Sequence, residues 1–214
     1  MFQQLILASA SPRRREILAQ AGIPFTVQVA DFDEERVREE LAQNDKKKEK
    51  TENTDFPELY VKALALGKAK TVLAKNTDTP EVMVLGADTV VVHRGEILNK
   101  PANIADAGRM LSRLQGDVHA VYTGVALCYK RENPDISPVF SSFAVRTEVV
   151  FYPMNKKEIE EYLMCGEYMD KAGAYAIQGK MAAYIKEIHG DYYNVVGLPL
   201  SAVVQELKRL KENV

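Results

Sequence analysis

The first thirty residues alternate between strand and helix signals, and this order constrains the fold more than any other feature of the chain. Residues 5–8 (LILA) form a short apolar run that is typical of a buried strand. Ser11 and Pro12 follow as the N-cap and first residue of a helix, and Gly22 marks its end. Residues 25–29 predict the next strand. A strand, a helix and a strand in succession indicate an α/β fold.

The rest of the chain predicts further helices and strands in a mixed order. A capping box at Asn155 and Glu158, an alanine- and leucine-rich stretch and an amphipathic C-terminal segment indicate helices, and apolar or alternating runs indicate strands. We expect helices over residues 58–75, 104–114, 155–166 and 199–212. We expect strands over residues 82–85, 89–92, 119–129, 139–151 and 181–188, with turns at 93–96 and 131–138.

Composition and charge disfavour several classes of protein. The chain has 214 residues, of which 46% are hydrophobic, so it can bury a substantial core. A net charge of −2 disfavours a nucleic-acid binder, and the two cysteines form no cluster that would indicate a zinc site or a disulfide framework. The sequence shows no signal-peptide pattern and no apolar span of membrane length. We therefore expect a cytoplasmic protein that binds neither nucleic acid nor a membrane.

The chain shows no internal repeat and no clear domain boundary. We therefore expect a single bilobed domain over residues 1–214. Residues 43–55 (QNDKKKEKTENTD) are polar, highly charged and almost free of apolar side chains, which predicts a charged, mobile surface insertion.

Three consecutive arginines, Arg13, Arg14 and Arg15, stand at the start of the first predicted helix. Their charges repel each other, and the positive end of the helix dipole adds to the cost. One interpretation is an anion site, in which the helix N-terminus, the hydroxyls of Ser9 and Ser11 and two guanidiniums bind phosphate oxygens. The other is an ordinary capped helix whose basic side chains face solvent. This segment alone leaves both interpretations open.

Asp88 lies between two valine-rich runs in the sequence VMVLGADTVVV. A carboxylate between buried strands is costly unless it is paired, hydrogen-bonded or bound to a metal, and the small residues before it leave room for a ligand. The alternative is an aspartate in a plain turn between two strands. Residues 31–35 (DFDEE) could bind Mg²⁺ and Lys100 could contact a phosphate, but each could equally be ordinary surface.

Two further segments place polar groups among small residues. They are residues 170–179 (DKAGAYAIQG) and 192–199 (YYNVVGLP). Such sequences suit loops where the backbone approaches a ligand, and they equally suit tight turns that link a sheet to a helix. The histidines His93, His119 and His189 lack metal-ligand spacing, so we interpret them as structural or exposed.

Six motifs in a fixed order give a more specific indication than any of them alone. They are SASPRR at 9–14, DE at 33–34, GADT at 86–89, KP at 100–101, DKAGAYAIQG at 170–179 and YNVVGLP at 193–199. Together they resemble the Maf family of nucleotide pyrophosphatases over nearly the whole chain. DKAGAYAIQG is similar to the branch that hydrolyses dTTP and UTP, whereas the 7-methylguanosine-triphosphate branch typically carries a different sequence there.

The resemblance implies a fold, a cofactor and an assembly. The fold is α/β, of the inosine-triphosphatase-like superfamily, with an elongated mixed β-sheet flanked by helices and two lobes around a central cleft. The cofactor is a divalent metal, Mg²⁺ or Mn²⁺, and the assembly is commonly a homodimer. By motif position, Asp88 corresponds to the proton acceptor, and Glu34 and Asp88 are the expected metal ligands. The implied substrate-binding residues are Ser9, Arg13, Arg14, Lys68, Thr89, Lys100 and Gln178, of which Arg13, Thr89 and Gln178 correspond to selectivity positions.

The expected reaction is hydrolysis of dTTP and UTP to the monophosphate and pyrophosphate. Water attacks the α-phosphorus, Asp88 orients or deprotonates that water, and the cations stabilise the charge on the phosphates. The Gln178 amide can match the N3–H donor and the O4 acceptor of uracil and thymine together. The alternatives are a hydrolase of modified nucleotides such as 5-methyl-UTP, pseudo-UTP or inosine triphosphate, and a nucleotide-sensing regulator of cell division.

Overall fold

The computed structural model describes residues 4–45, 56–133 and 135–212, and within them it confirms the mixed α/β class. The helices in these ranges are α1 (Pro12–Gln20), α2 (Glu34–Asp45), α3 (Phe56–Ala74), α4 (Ile104–Leu114), α5 (Lys156–Met164), α6 (Tyr192–Val196) and α7 (Leu200–Glu212). The strands are β1 (Leu5–Leu7), β2 (Thr26–Val27), β3 (Val82–His93), β4 (Glu96–Leu98), β5 (Val118–Lys130), β6 (Val139–Phe151) and β7 (Ile185–His189). Two short 3₁₀ helices span Ala172–Ala174 and Lys180–Tyr184.

The seven strands form one mixed sheet in the order β2-β1-β3-β5-β6-β7, with β4 paired to β3. Strand β1 lies parallel to both β2 and β3, whereas β4 runs antiparallel to β3 and β7 runs antiparallel to β6. The turn between β3 and β4 contains Arg94 at φ 50° and Gly95 at φ 82°, as a tight two-residue hairpin requires. Within the described ranges, no helix is both long and apolar enough to cross a membrane.

The chain divides into two compact units. The first contains Met1–Asp88, Thr123–Ala144 and Gly197–Val214, and the second contains Thr89–Tyr122 and Val145–Val196. Strands β3, β5 and β6 contribute residues to both units. The expectation of a single domain with two lobes around a cleft stays a prediction.

Helix α3 packs unusually close to the sheet in the first unit. A Cβ atom at Gly86 of β3 would lie 2.2 Å from the carbonyl oxygen of Ala65, and a Cβ atom at Gly124 of β5 would lie 2.2 Å from that of Val61. The glycines therefore let the backbone of the helix approach the two strands directly. Small and β-branched buried side chains fill the rest of this core, among them Ile6, Ala8, Ala65, Ala69, Val72, Val82, Val84 and Ala126.

We expect Gly86→Ala to lower the free energy of unfolding by about 2 kcal/mol, because the added methyl group meets helix backbone that has no room to move aside. Gly108→Ala is the matched control, since a Cβ atom there lies 3.4 Å from Leu163 Cδ1 and alanine favours the α4 helix. Denaturant titration measures both variants. Equal stability of the two variants would contradict this account of α3 packing.

Several predicted elements have different bounds in the structure. The expected strand over 25–29 is reduced to Thr26–Val27, and the expected strand over 181–188 begins only at Ile185, after a 3₁₀ helix. Helix α6 lies where tight turns or a ligand-approach loop were expected. Helix α2 was not predicted, because its sequence has few apolar positions to mark a helical face. It continues to Asp45, so residues 43–45 of the predicted insertion are helical. Residues 46–55 of that insertion lie outside the described residues.

The main correction concerns Asp88, which does not lie in a turn. Residues 82–93 form one continuous strand, and Gly86 and Ala87 within it are buried. In the sequence, these small residues suggest that the strand is interrupted. In the structure, Gly86 instead allows α3 to pack closely against the strand. Asp88 is therefore placed on the side of a long strand rather than on a loop.

Candidate functional site

Ser9 and Arg14 form a hydrogen-bonded pair where β1 leads into α1. Ser9 is buried, and its Oγ accepts hydrogen bonds from Arg14 Nη1 at 3.1 Å and from the Ser11 N–H at 3.2 Å. Ser11 occupies the predicted N-cap position, but its side chain makes no capping hydrogen bond. Because a hydroxyl also has a proton to donate, the Ser9 side chain suits an anionic acceptor.

Arg14 is buried, and its guanidinium also holds a distant segment of the chain. Its Nε donates a hydrogen bond of 2.8 Å to the carbonyl oxygen of Gly197, in the YNVVGLP segment. Burial lowers the pKa of Arg14, while the negative charge of Asp88 acts in the opposite direction. An arginine whose charge is partly desolvated beside a carboxylate is held in place by its hydrogen bonds and is well suited to a phosphate.

The other two arginines of the run differ from Arg14 and from each other. Arg13 is half-buried, whereas Arg15 is exposed. The charge of Arg13 lowers the pKa of Arg14, so the two guanidiniums lie close enough to repel. Arg15, which is not among the substrate-binding residues that the resemblance implies, faces solvent. An anion bound beside Arg13 and Arg14 would relieve their repulsion.

Lys68 joins two carboxylates that are far apart in the sequence. Its Nζ lies 2.6 Å from Oε1 of Glu34 at the start of α2 and 2.6 Å from Oδ1 of Asp88 in β3. The side chains of Lys68 and Asp88 are each 14% exposed, and that of Glu34 is 48% exposed. The structure thus brings together three of the predicted site residues around one ammonium group, and these contacts lie within the first unit.

Close packing of small residues determines this geometry. A Cβ atom at Gly67 would lie 2.1 Å from Cζ of Phe32, so the Phe32 ring occupies the space beside Gly67 on α3. Phe32 precedes Glu34 by two residues, and Gly67 precedes Lys68 by one. On the other side of the helix, the contact between Gly86 and Ala65 places β3 against the same turns of α3. These two contacts bring Glu34, Lys68 and Asp88 to one place.

Three predicted site residues belong to the second unit. Thr89 follows Asp88 in β3 and is half-buried, Lys100 lies just after β4 and is exposed, and Gln178 is exposed in a turn over residues 177–179. Their expected roles toward a nucleotide stay predictions.

The segment that carries Gln178 has a constrained backbone. Asp170, Gly173 and Ala174 adopt φ angles of 58°, 68° and 63°, in the left-handed region that non-glycine residues seldom adopt. A Cβ atom at Gly173 would lie 3.0 Å from the Val91 side chain. Strained positions persist only where surrounding contacts hold them. The segment is therefore held in one conformation by its packing.

A buried aromatic cluster provides part of that packing. Tyr175 Oη lies 2.8 Å from Nε2 of His119, and the rings of His119, Tyr175 and Phe151 meet edge to face with centroids 4.8 to 5.3 Å apart. The interpretation of His119 as a structural histidine is confirmed. Burial, above all, lowers the pKa of His119 from 6.5 to about 3.

We expect the shifted pKa of His119 to make the protein less stable in acid. Below pH 6.5 the unfolded chain binds a proton at this histidine while the folded protein does not, until the pH approaches 3. The free energy of unfolding contributed by this group therefore falls as the pH is lowered through that window, by at most about 1.4 kcal/mol per pH unit. Denaturant titrations of wild type and His119→Gln between pH 6.5 and 4.5 test this. Identical pH slopes would contradict it.

The sequence does not single out two side chains that hold the same segment. Tyr162 Oη accepts a hydrogen bond of 3.1 Å from the Ala176 N–H, and Glu167 Oε2 accepts one of 2.8 Å from the Lys180 N–H. Tyr162 lies in α5 and Glu167 lies in the loop after it, and neither belongs to a motif. Gly179 is the one signal in the sequence, because a glycine in a loop can mark a place where another group comes close to the backbone.

Known proteins with similar sequences show the family of the chain. The sequence profile of the family described as Maf-like protein matches residues 4–210. A dTTP/UTP pyrophosphatase of Symbiobacterium thermophilum is 48% identical over 206 residues, covering 96% of this chain and 93% of the relative. A dTTP/UTP pyrophosphatase of Bacillus cereus is 42% identical over 213 residues, covering 100% of this chain and 98% of the relative.

Among solved structures, a nucleoside-triphosphatase / dITP/XTP pyrophosphatase from Mycobacterium abscessus is distantly similar. It has 15% sequence identity and a TM-score of 0.34, with 71% of this chain and 76% of that chain covered. The family profile and the two sequence relatives, by contrast, extend over nearly the whole chain. The chain therefore belongs to the family of Maf-like proteins.

Proposed function

We propose that the chain is a nucleoside triphosphate pyrophosphatase that hydrolyses dTTP and UTP to the monophosphate and pyrophosphate. The names of two relatives that match over 93% and 98% of their length support this proposal. The observation that carries it is the cluster in which Lys68 contacts both Glu34 and Asp88. A largely buried lysine can bind phosphate oxygens, and the two carboxylates beside it can bind a metal ion or accept a proton, so the cluster suits a nucleoside triphosphate.

The arginines and lysines of the proposed site bind different parts of the nucleotide. Arg13 and Arg14, with the hydroxyl of Ser9, bind phosphate oxygens at the start of α1, where backbone N–H groups add to the positive potential. Lys68 neutralises charge beside the reacting phosphate, and Lys100 contacts the phosphate chain as a point charge. Positioning and charge stabilisation of this kind supply most of the catalysis in phosphoryl transfer.

We further propose Mg²⁺ or Mn²⁺ as the cofactor, with Glu34 and Asp88 as its protein ligands. The residues fit such an ion in their chemistry, because Glu34 and Asp88 are oxygen donors that each have an oxygen 2.6 Å from Lys68 Nζ, so the two carboxylates lie close together beside that ammonium group. Mg²⁺ in nucleotide enzymes is commonly bound by one or two carboxylates, with substrate phosphates completing its coordination. When bound, the ion lowers the charge of the phosphates and favours ionisation of water.

Asp88 then orients the attacking water and accepts its proton. The water oxygen forms a bond to the α-phosphorus, the bond from that phosphorus to the bridging α,β oxygen breaks, and pyrophosphate leaves with the electron pair. The hydrogen bond from Lys68 holds the Asp88 carboxylate in one orientation, which fixes the direction of proton transfer. The product is a nucleoside monophosphate.

A panel of nucleoside triphosphates with Mg²⁺ in ¹⁸O-labelled water tests the proposed reaction. We expect pyrophosphate from dTTP and UTP, with the label in the monophosphate because the attack occurs at the α-phosphorus. Including 5-methyl-UTP, pseudo-UTP and inosine triphosphate separates a preference for modified nucleotides. Release of orthophosphate, label in the pyrophosphate, or no turnover of any triphosphate would contradict the proposal.

We propose that Gln178 determines the selectivity for the base of the nucleotide. Its amide can accept from N3–H and donate to O4 of uracil or thymine, whereas cytosine presents the reversed pattern. We expect Gln178→Ala to narrow the preference for dTTP over dCTP about tenfold, while the affinity for free pyrophosphate is retained. The ratio of kcat/KM values for the two nucleotides measures this effect. Selectivity equal to wild type would show that another residue reads the base.

The proposal also includes a homodimer, which the resemblance to the family implies, and a cytoplasmic location, which the cysteine content of the sequence favours. Sedimentation equilibrium of the full chain measures the assembly directly. A monomer at micromolar concentration would contradict the proposed dimer and would leave the proposed reaction unaffected.

A further inference from the structure

We propose that Glu167 is a positioning residue for base recognition, whose carboxylate fixes the backbone on the C-terminal side of Gln178. The inference rests on the proposed function, since it concerns how the expected selectivity residue is held. Glu167 lies in the loop after α5 and belongs to none of the six motifs. Its role follows from the contacts of residues 173–180.

Gln178 follows five residues, 173–177, that are buried or half-buried. Gly173, Ala174, Tyr175 and Ile177 are buried and Ala176 is half-buried, whereas Gln178 is exposed. On the N-terminal side, the Ala176 N–H donates to Tyr162 Oη at 3.1 Å and Tyr175 Oη lies 2.8 Å from His119. The backbone that leads into Gln178 is therefore fixed by side chains from α5 and β5.

Glu167 performs the same task on the C-terminal side. Its Oε2 accepts a hydrogen bond of 2.8 Å from the Lys180 N–H, two residues beyond Gln178. A Cβ atom at Gly179 would lie 2.0 Å from this same oxygen, so the carboxylate occupies the space that a side chain would need. Gly179 and Glu167 thus fit together, and the residue after Gln178 cannot shift toward α5 while the carboxylate is in place.

The backbone must be fixed on both sides of Gln178 because discrimination between bases depends on the position of the amide group. An amide can distinguish uracil or thymine from cytosine only if its oxygen and nitrogen are held where the base edge arrives, and errors near 1 Å weaken such recognition strongly. If the Lys180 N–H loses its acceptor, residues 178–180 gain freedom and the Gln178 side chain can adapt to either base. Loss of Glu167 therefore affects selectivity, although Glu167 itself does not contact the nucleotide in this proposal.

The test compares Glu167→Ala with Glu167→Gln, whose amide oxygen can still accept from the Lys180 N–H. We expect the alanine variant to narrow the kcat/KM preference for dTTP over dCTP about tenfold, mainly through a higher KM for dTTP. We expect the glutamine variant to stay within about threefold of wild type. Glu161→Ala, which removes an exposed carboxylate on α5, is the matched control and keeps the wild-type ratio.

A merely structural role would lower kcat/KM for dTTP, UTP and dCTP by the same factor, and that result would overturn the inference. If Glu167→Ala does not fold, Glu167→Asp replaces it, because its shorter side chain cannot reach the Lys180 N–H; an unchanged ratio there also overturns the inference. Amide hydrogen exchange gives a second readout, in which faster exchange at Lys180 in the alanine variant is expected and unchanged exchange contradicts the role. A wild type that hydrolyses neither dTTP nor UTP contradicts the proposed function instead.

Discussion

Asp88→Asn is expected to lower kcat for dTTP about a thousandfold, within the range found when a positioned general base is removed. The asparagine has the same size and can still contact Lys68, but its amide oxygen cannot accept a proton from the attacking water. Its loss of charge also removes one of the two carboxylates that contact Lys68. Because asparagine has the same shape and its amide oxygen can still accept the hydrogen bond from Lys68, we expect the fold to be retained.

Steady-state rates of pyrophosphate release, together with a thermal unfolding curve, measure this prediction. Asp78→Asn is the matched control, since Asp78 is an exposed aspartate just before the same strand. Turnover near the wild-type rate in a folded Asp88→Asn protein would show that Asp88 is not the proton acceptor. A folded but inactive variant together with an active Asp78→Asn would support a direct role of Asp88 in the reaction, as proton acceptor and metal ligand.

Arg14→Met is expected to lower the free energy of unfolding by about 3 kcal/mol, as breaking a buried charged interaction commonly does. Methionine fills a similar volume but donates no hydrogen bond, so the Gly197 carbonyl and the Ser9 hydroxyl both lose the guanidinium. Asp88 loses a favourable neighbouring charge. We also expect kcat/KM to fall at least about a hundredfold, because a charge-assisted phosphate contact disappears with it.

Arg15→Met provides the comparison, because Arg15 is the next residue of α1 and is exposed. Its stability should change by less than about 0.5 kcal/mol, as is usual for surface substitutions. Denaturant titration and dTTP kinetics are measured on both variants. Equal effects at positions 14 and 15 would mean that the arginine run is a solvated helix face after all.

Local sequence signals predicted the elements whose ends depend on nearby residues. Pro12 and Gly22 bound α1 as expected, because a proline fits the first helical turn and Gly22 adopts φ 66° just past its end. Asn155 and Glu158 form the expected capping box of α5 through reciprocal hydrogen bonds. These interactions span three or four residues, so the chain specifies them without the rest of the fold.

Elements whose form depends on distant residues were predicted less well. The sequence around Asp88 has the small residues of a turn, yet β3 continues through it because Gly86 accommodates the backbone of α3. The strand expected over 181–188 gives way to a 3₁₀ helix as far as Tyr184. At Gly86 the contact with α3 overrides the local preference for a turn.

The sequence by itself determined the alternation of strands and helices, the bounds of the capped helices and the candidate residues that the family motifs carry. It did not determine that Lys68 would contact both Glu34 and Asp88, because these residues are separated by 34 and 20 positions and no local periodicity relates them. Only the tertiary structure decided this contact. The physical reason is close packing, since the absence of side chains at Gly67 and Gly86 lets Phe32 and β3 approach α3 from two sides and brings one ammonium between two carboxylates.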